Sequence, residues 1–250
     1  MKYKILLALL CTTTLFIPFV KINAQETKLV HNQEELKKAI NDENISTITL
    51  ANDIETTEKI NILRSVTIDG NNHTIKYIGP FGKENNADYT VWNGIYVLQF
   101  YKTSSTLKNI KLTGGNGGLL VNGAKVNIEG ILDVSGNGFG GIELGQGKDV
   151  KSTAHLVLSN SASIINTTET EDTPTLWVPK DSTNVILEMN GIQQNLNAGS
   201  EFSVQEINTL FQIPNNPNTS DISLSILLGG FISLILFGYS IYKLQETHSV

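Results

Sequence analysis

Cysteine, arginine and charge are all scarce in this chain of 250 residues, and each shortage closes off a class of function. There is one cysteine, Cys11, so neither an internal disulfide nor a cysteine-based zinc site is available. Arg64 is the one arginine. The planar fork of arginine is the usual clamp on carboxylates and phosphates, so a site built from several such clamps is excluded. Charged residues make up 17% of the chain, and the net charge is −6 at pH 7. An acidic protein repels phosphate backbones, and no nucleic-acid partner is expected. Low charge does not mean disorder here, because 40% of the residues are hydrophobic and can build a core. The strings Gly-x-Ser-x-Gly and His-Glu-x-x-His and the P-loop string are missing. The histidines His31, His73, His155 and His248 are dispersed, and they read as surface or turn residues rather than metal ligands. No cofactor, no metal and no catalytic residue is expected.

The two ends differ from the middle. Residues 1–24 read as a secretory signal: Lys2 and Lys4 open it, residues 5–20 are apolar, and Ala24 offers a small residue at the cut before Gln25. Cys11 follows the bulky Leu10, which argues against lipidation. Residues 222–242 carry no charge. At about 1.5 Å per residue they span roughly 32 Å as a helix, enough for a transmembrane segment. Lys243 follows, and residues 243–250 form a short tail expected inside the cell. Residues 213–221 are a linker. The chain is thus expected to be exported, with its globular part, residues 25–212, held at the cell surface.

Within that part, helical periodicity occurs once. Asn32, with Glu35 three positions on, forms a capping pattern, and Leu36, Ala39 and Ile40 share one face, predicting a short helix over about 32–41. Beyond it the apolar residues alternate in runs of three to six, as in Ile60 with Ile62, Val66 with Ile68, Leu119 with Val121, and Leu156 with Leu158. The runs are separated by Gly/Asn/Asp turns such as Asp69-Gly70-Asn71-Asn72 and Ser135-Gly136-Asn137-Gly138. Comparable strands recur every 14–20 residues or so, longer than in a sandwich and suited to one coil of a parallel β-helix. The reading is an all-β solenoid of about eight to ten coils, with aliphatic ladders inside, asparagines stacked at the turns and the leading helix as a cap.

Aromatic residues crowd one insert: Tyr89, Trp92, Tyr96, Phe100 and Tyr101. Aromatic faces suit the C–H faces of sugar rings. Strict alternation would put Tyr96, Leu98 and Phe100 on one face and Val97, Gln99 and Tyr101 on the other. Trp92, Tyr96 and Tyr101 are candidate ligand contacts, joined by Trp177, between Pro174 and Pro179, and by Glu143, beside the Phe139-Gly140-Gly141-Ile142 string.

The stretch Thr67-Ile68-Asp69-Gly70-Asn71-Asn72-His73-Thr74-Ile75, with the helix and strands before it, resembles the opening of pectate lyase-like β-helix domains of bacterial surface proteins. Leu107-Lys108-Asn109-Ile110-Lys111-Leu112 is similar to a standard coil of that superfamily, and the stretches around Gly140 and Trp177 resemble later coils of its adhesive members. The resemblance implies a right-handed parallel β-helix. It also implies where an enzyme of the superfamily would keep its chemistry. Asp69 and Asp133 stand where calcium-binding aspartates would be sought, but both lie beside Gly/Asn turns and read as partners of their own turn backbone. Arg64 is expected to lie across the surface or to pair with a nearby glutamate. Gly-His-Gly, Arg-x-Lys and Asp-Pro-His-Glu, the marks of the related hydrolases and epimerases, do not occur. The expected function is non-enzymatic adhesion or recognition of a polysaccharide or another surface; a diverged polysaccharide lyase or hydrolase is the alternative. Finally, Asn216-Pro217-Asn218-Thr219, ahead of the apolar span, resembles a Gram-positive sorting signal. That resemblance implies a sortase-type transpeptidase cutting after Thr219 and a cell-wall anchor. Ser220 and a tail with one lysine depart from the pattern.

Overall fold

The computed structural model describes residues 26–80, 94–147 and 149–211. The proposed signal with Ala24, the sorting-like motif with Thr219, the apolar span 222–242, the tail and Trp92 lie outside the described residues. Among the described residues, no helix is long and apolar enough to cross a membrane.

The protein is mostly β. In chain order the elements are β1 (Glu26–Val30), α1 (Gln33–Asn41), β2 (Ile45–Leu50), β3 (Ile54–Thr56), β4 (Ile60–Ile62), β5 (Thr67–Asp69) and β6 (Thr74–Tyr77). Then come β7 (Tyr96–Tyr101), β8 (Ser104–Thr113), β9 (Gly117–Asn122), β10 (Lys125–Asp133), β11 (Gly140–Gly145) and β12 (Ala154–Leu158). The last are β13 (Ser163–Ile165), β14 (Leu176–Trp177), β15 (Val185–Met189), β16 (Ile192–Asn195), β17 (Glu201–Phe202) and α2 (Val204–Leu210).

These strands form two sheets. The larger runs β1-β2-β5-β8-β10-β12-β15-β16, with β3, β6 and β13 alongside; the smaller runs β17-β14-β11-β9-β7-β4. From β7 to β12 the chain crosses between the sheets at each step, and every strand pairs in parallel with one from the preceding turn. Such parallel sheets are consistent with a β-helix. Register pairs are about twenty residues apart in the tightest turns, Ile48 beside Ile68, Leu107 beside Ile128 and Leu98 beside Leu119. Later turns carry longer connections, with Ile128 beside Leu158 and Ile142 beside Leu176. The main row of the larger sheet therefore holds seven parallel strands, β1 to β15, and not the eight to ten coils expected. Both sheets close on antiparallel strands, β16 against β15 and β17 against β14, which the periodicity did not announce.

The interior is one continuous cluster, aliphatic except for Tyr77 and Phe100. Like residues stack at each level, as in Ile60, Leu98, Leu119, Ile142 and Leu176. α1 joins this core through Leu36, Ala39 and Ile40, with Asn32 accepting from the Glu35 amide as the expected N-cap. Its contacts fall on both sides of β4, through Lys37 to Glu58 and Arg64 to Ile40, so it covers the free edge of the smaller sheet. Arg64 does not reach across the surface or pair with a glutamate. Its guanidinium donates to the carbonyls of Ile40 (2.6 Å) and Ala39 (2.9 Å), closing the end of α1 where the helix dipole favours a cation.

Two devices hold the turns in register. β8 and β10 each bend at a left-handed residue, Asn109 (φ 43°) and Gly130 (φ 67°), and Asn109 Oδ1 accepts from the Ile131 amide of the next turn. A Cβ on Gly130 would lie 1.9 Å from that oxygen, so only glycine fits. Nearby, Asn116 and Asn137 are buried. Asn116 Oδ1 accepts from the Ile95 amide and Asn137 Oδ1 from the Gly115 amide, each bonding to the turn before it. The expected stack of asparagine on asparagine is not what links these turns; each asparagine side chain bonds instead to the backbone of the turn before it.

Candidate functional site

The smaller sheet has one row of residues turned away from the core. Register places Asn61, Gln99, Leu120, Glu143, Trp177 and Glu201 side by side, while the flanking rows enter the aliphatic interior. Tyr96 joins this outer row against simple alternation. Val97 packs into the main core, and Tyr96 instead forms a second cluster with Leu120 and Trp177. Glycine makes this possible. Gly117 stands beside Tyr96, and a Cβ there would lie 2.7 Å from the tyrosine ring and 3.2 Å from Trp177. A Cβ on Gly140 would come within 3.0 Å of the same indole. The two strand starts thus form a side-chain-free floor, and the rings lie over it with centroids 6.4 Å apart and planes inclined by 28°.

Glu143 is held between these rings. The Tyr96 hydroxyl donates to Glu143 Oε2, and the Trp177 indole bonds to the same carboxylate. Burial pushes the Glu143 carboxyl above its ordinary value; the bonds from Tyr96 and Trp177 and the charge of Lys59 pull it down, Asp181 pushes it up, and burial prevails. The Tyr96 hydroxyl is raised well above its usual range by burial and by the charge of Glu143, so it serves as a donor and not as a base. Lys59, just before β4, donates from Nζ to Gln99 Oε1 at 2.9 Å. Burial lowers its ammonium below the ordinary lysine value, although Glu143 opposes the shift. The assembly is an acid, an amine and an amide on one face, the acid held by Tyr96 and Trp177 and the amine by the amide.

The structure brings three of the five candidate contacts together: Tyr96, Glu143 and Trp177. Trp92 lies outside the described residues. Tyr101 ends β7, away from the cluster, with the Lys102 ammonium 4.9 Å above its ring. Tyr96 is only 4% exposed and Trp177 8%, so their rings position Glu143 and do not form the open stacking surface expected. Lys59, Gln99 and Asp181 were not anticipated. The alternation of β7 is a signal that could have turned Gln99 outward, but Lys59 and Asp181 carry no local mark. Asp69 and Asp133 accept from the amides of Asn71 and Ser135, each at 2.9 Å, as turn residues do. Among the described residues, no group of three or more His, Cys, Asp or Glu could hold a metal ion.

Residues 27–136 match the model of a family described as "Putative pectate lyase-like adhesive domain". The match takes in Lys59, Tyr96, Gln99 and Leu120 and stops before Glu143 and Trp177. No curated protein and no solved structure matches the chain. From β1 to the end of β10, this chain is therefore similar to adhesive domains of the pectate lyase-like type.

Proposed function

We propose that this chain is a non-enzymatic adhesion or recognition protein at the cell surface. In this reading it is a right-handed parallel β-helix that contacts polysaccharide through the outer face of its smaller sheet. The adhesive-domain match supports the class of role. The observation that carries the site is the convergence of Tyr96, Glu143 and Trp177 from three different turns around one carboxyl group. Glu143, Gln99 and Lys59 supply acceptors and donors of the kind that sugar hydroxyls pair with. With Asp181 and Glu201 on the same side and a net charge of −6, neutral glycans suit the face better than polyanions. A panel of neutral and anionic polysaccharides tests this with the full chain in detergent. Saturable retention on a neutral glycan is expected, with a loss of about tenfold or more for Glu143→Gln, the worth of one hydrogen bond to a charged group. Retention on nothing, or equal retention by the variant, refutes the site.

A second reading, a diverged lyase or hydrolase, is favoured by one observation: an acid raised and an amine lowered on one face, the pairing that acid–base chemistry uses. New reducing ends or unsaturated products in the same incubations would establish it.

Export through residues 1–24 and retention at the envelope through residues 213–250 complete the proposal. Mass spectrometry of the C-terminal peptide from intact cells is expected to find a chain ending at Thr219 and bonded to wall peptide. A chain running to Val250 would refute sorting.

A further inference from the structure

We propose that Lys59 and Gln99 become joined by an intramolecular isopeptide bond, with Glu143 relaying the proton. This does not depend on glycan recognition, since the two residues can be linked in a chain that binds nothing. The geometry brings nucleophile and amide together before any reaction. β4 and β7 pair in parallel with Asn61 beside Gln99, and Lys59, two residues earlier on the same face, sets its Nζ 2.9 Å from Gln99 Oε1. Gln99 is 9% exposed and Lys59 is half-buried, so the amine is held on the amide. Attack needs a neutral amine, and burial favours that form at Lys59. Glu143 lies in the same outward row, two strands along from Gln99, and its charge acts directly on Lys59. Its carboxylate takes the proton that Nζ gives up and passes it to the leaving amide nitrogen, and burial raises its hold on that proton in between.

The step balances without a redox partner. Lys59 Nζ attacks Gln99 Cδ, the Nζ–Cδ bond forms and the Cδ–Nε2 bond breaks. Nε2 leaves as ammonia, with the proton that Nζ gives up passing through the Glu143 carboxyl, which ends as it began. The product ties two successive turns together near the α1 end.

Tandem mass spectrometry of a tryptic digest of the full chain, kept at neutral pH after purification, tests the bond. A branched peptide containing Lys59 and Gln99 is expected, lighter than its two parts by one ammonia beyond ordinary peptide accounting, with no cleavage after Lys59. It should vanish in Lys59→Arg and accumulate at least tenfold more slowly in Glu143→Gln. Ammonia loss alone is not diagnostic. Linear Lys59 and Gln99 peptides at full recovery overturn the proposal, as does ammonia loss mapping to cyclised Gln25 or to a succinimide at Asn116-Gly117. An unchanged rate in Glu143→Gln overturns the assigned role of that residue.

Discussion

Replacing Asn137 by alanine is expected to destabilise the fold by about 3–5 kcal/mol, more than most single changes outside the aliphatic core. The Asn137 side chain is 7% exposed and makes three bonds. Its Oδ1 accepts from the Gly115 amide at 3.0 Å, and its Nδ2 donates to the carbonyls of Leu112 at 2.9 Å and Val134 at 2.8 Å. Alanine leaves one amide and two carbonyls without these partners. A buried polar group without a partner costs about 1–3 kcal/mol, and neighbouring losses do not add fully. The urea midpoint should fall by roughly 1.5–2.5 M for a slope near 2 kcal/mol per molar. Asn127→Ala, on the outward side of β10, is the control and should shift stability by no more than about 0.5 kcal/mol. Equal, small effects of both changes would show that the turn ladder does not hold the coils in register.

Trp177→Ala should cost about 3–5 kcal/mol, as buried aromatic truncations do. The indole lies over Gly117 and Gly140, positions that have no side chain of their own to fill its place. Trp177→Phe keeps a ring beside Tyr96 and should cost about 1–2 kcal/mol, but it also removes a donor from Glu143, and that loss depends on pH. Burial already places the folded-state titration of Glu143 above its unfolded value. A carboxyl raised on folding supports the fold while protonated, and that support is lost as pH rises from the ordinary glutamate range through the folded value. Removing the indole bond raises the folded value further. The stability deficit of Trp177→Phe should therefore be larger at pH 7 than at pH 4. Paired urea titrations of wild type and variant at the two values measure it, since other carboxylates cancel in the difference. A deficit independent of pH would mean that the indole does not stabilise the Glu143 charge.

Local pattern was enough for α1, whose cap at Asn32 and buried Leu36, Ala39 and Ile40 depend on neighbours within one or two helical turns. It was also enough for the inner rows of the sheets, because residues two apart in a strand must share a face. It misled at Tyr96, where glycines in the next two turns open a space on the outer side and draw the ring out of alternation. Arg64 was misjudged for a similar reason: its partners are carbonyls 24 and 25 residues earlier, which become neighbours only when α1 lies over β4.

By itself the order of residues determined a mostly β chain of short strands with asparagine and glycine at the turns and an aliphatic inside. Those features follow from side-chain period and backbone freedom, which act over a few residues. Only the tertiary structure decided that Tyr96, Glu143 and Trp177 meet, and that Lys59 rests on Gln99. Parallel pairing sets neighbours by the length of each turn, and no local signal encodes which residue will face which across twenty to forty positions of chain.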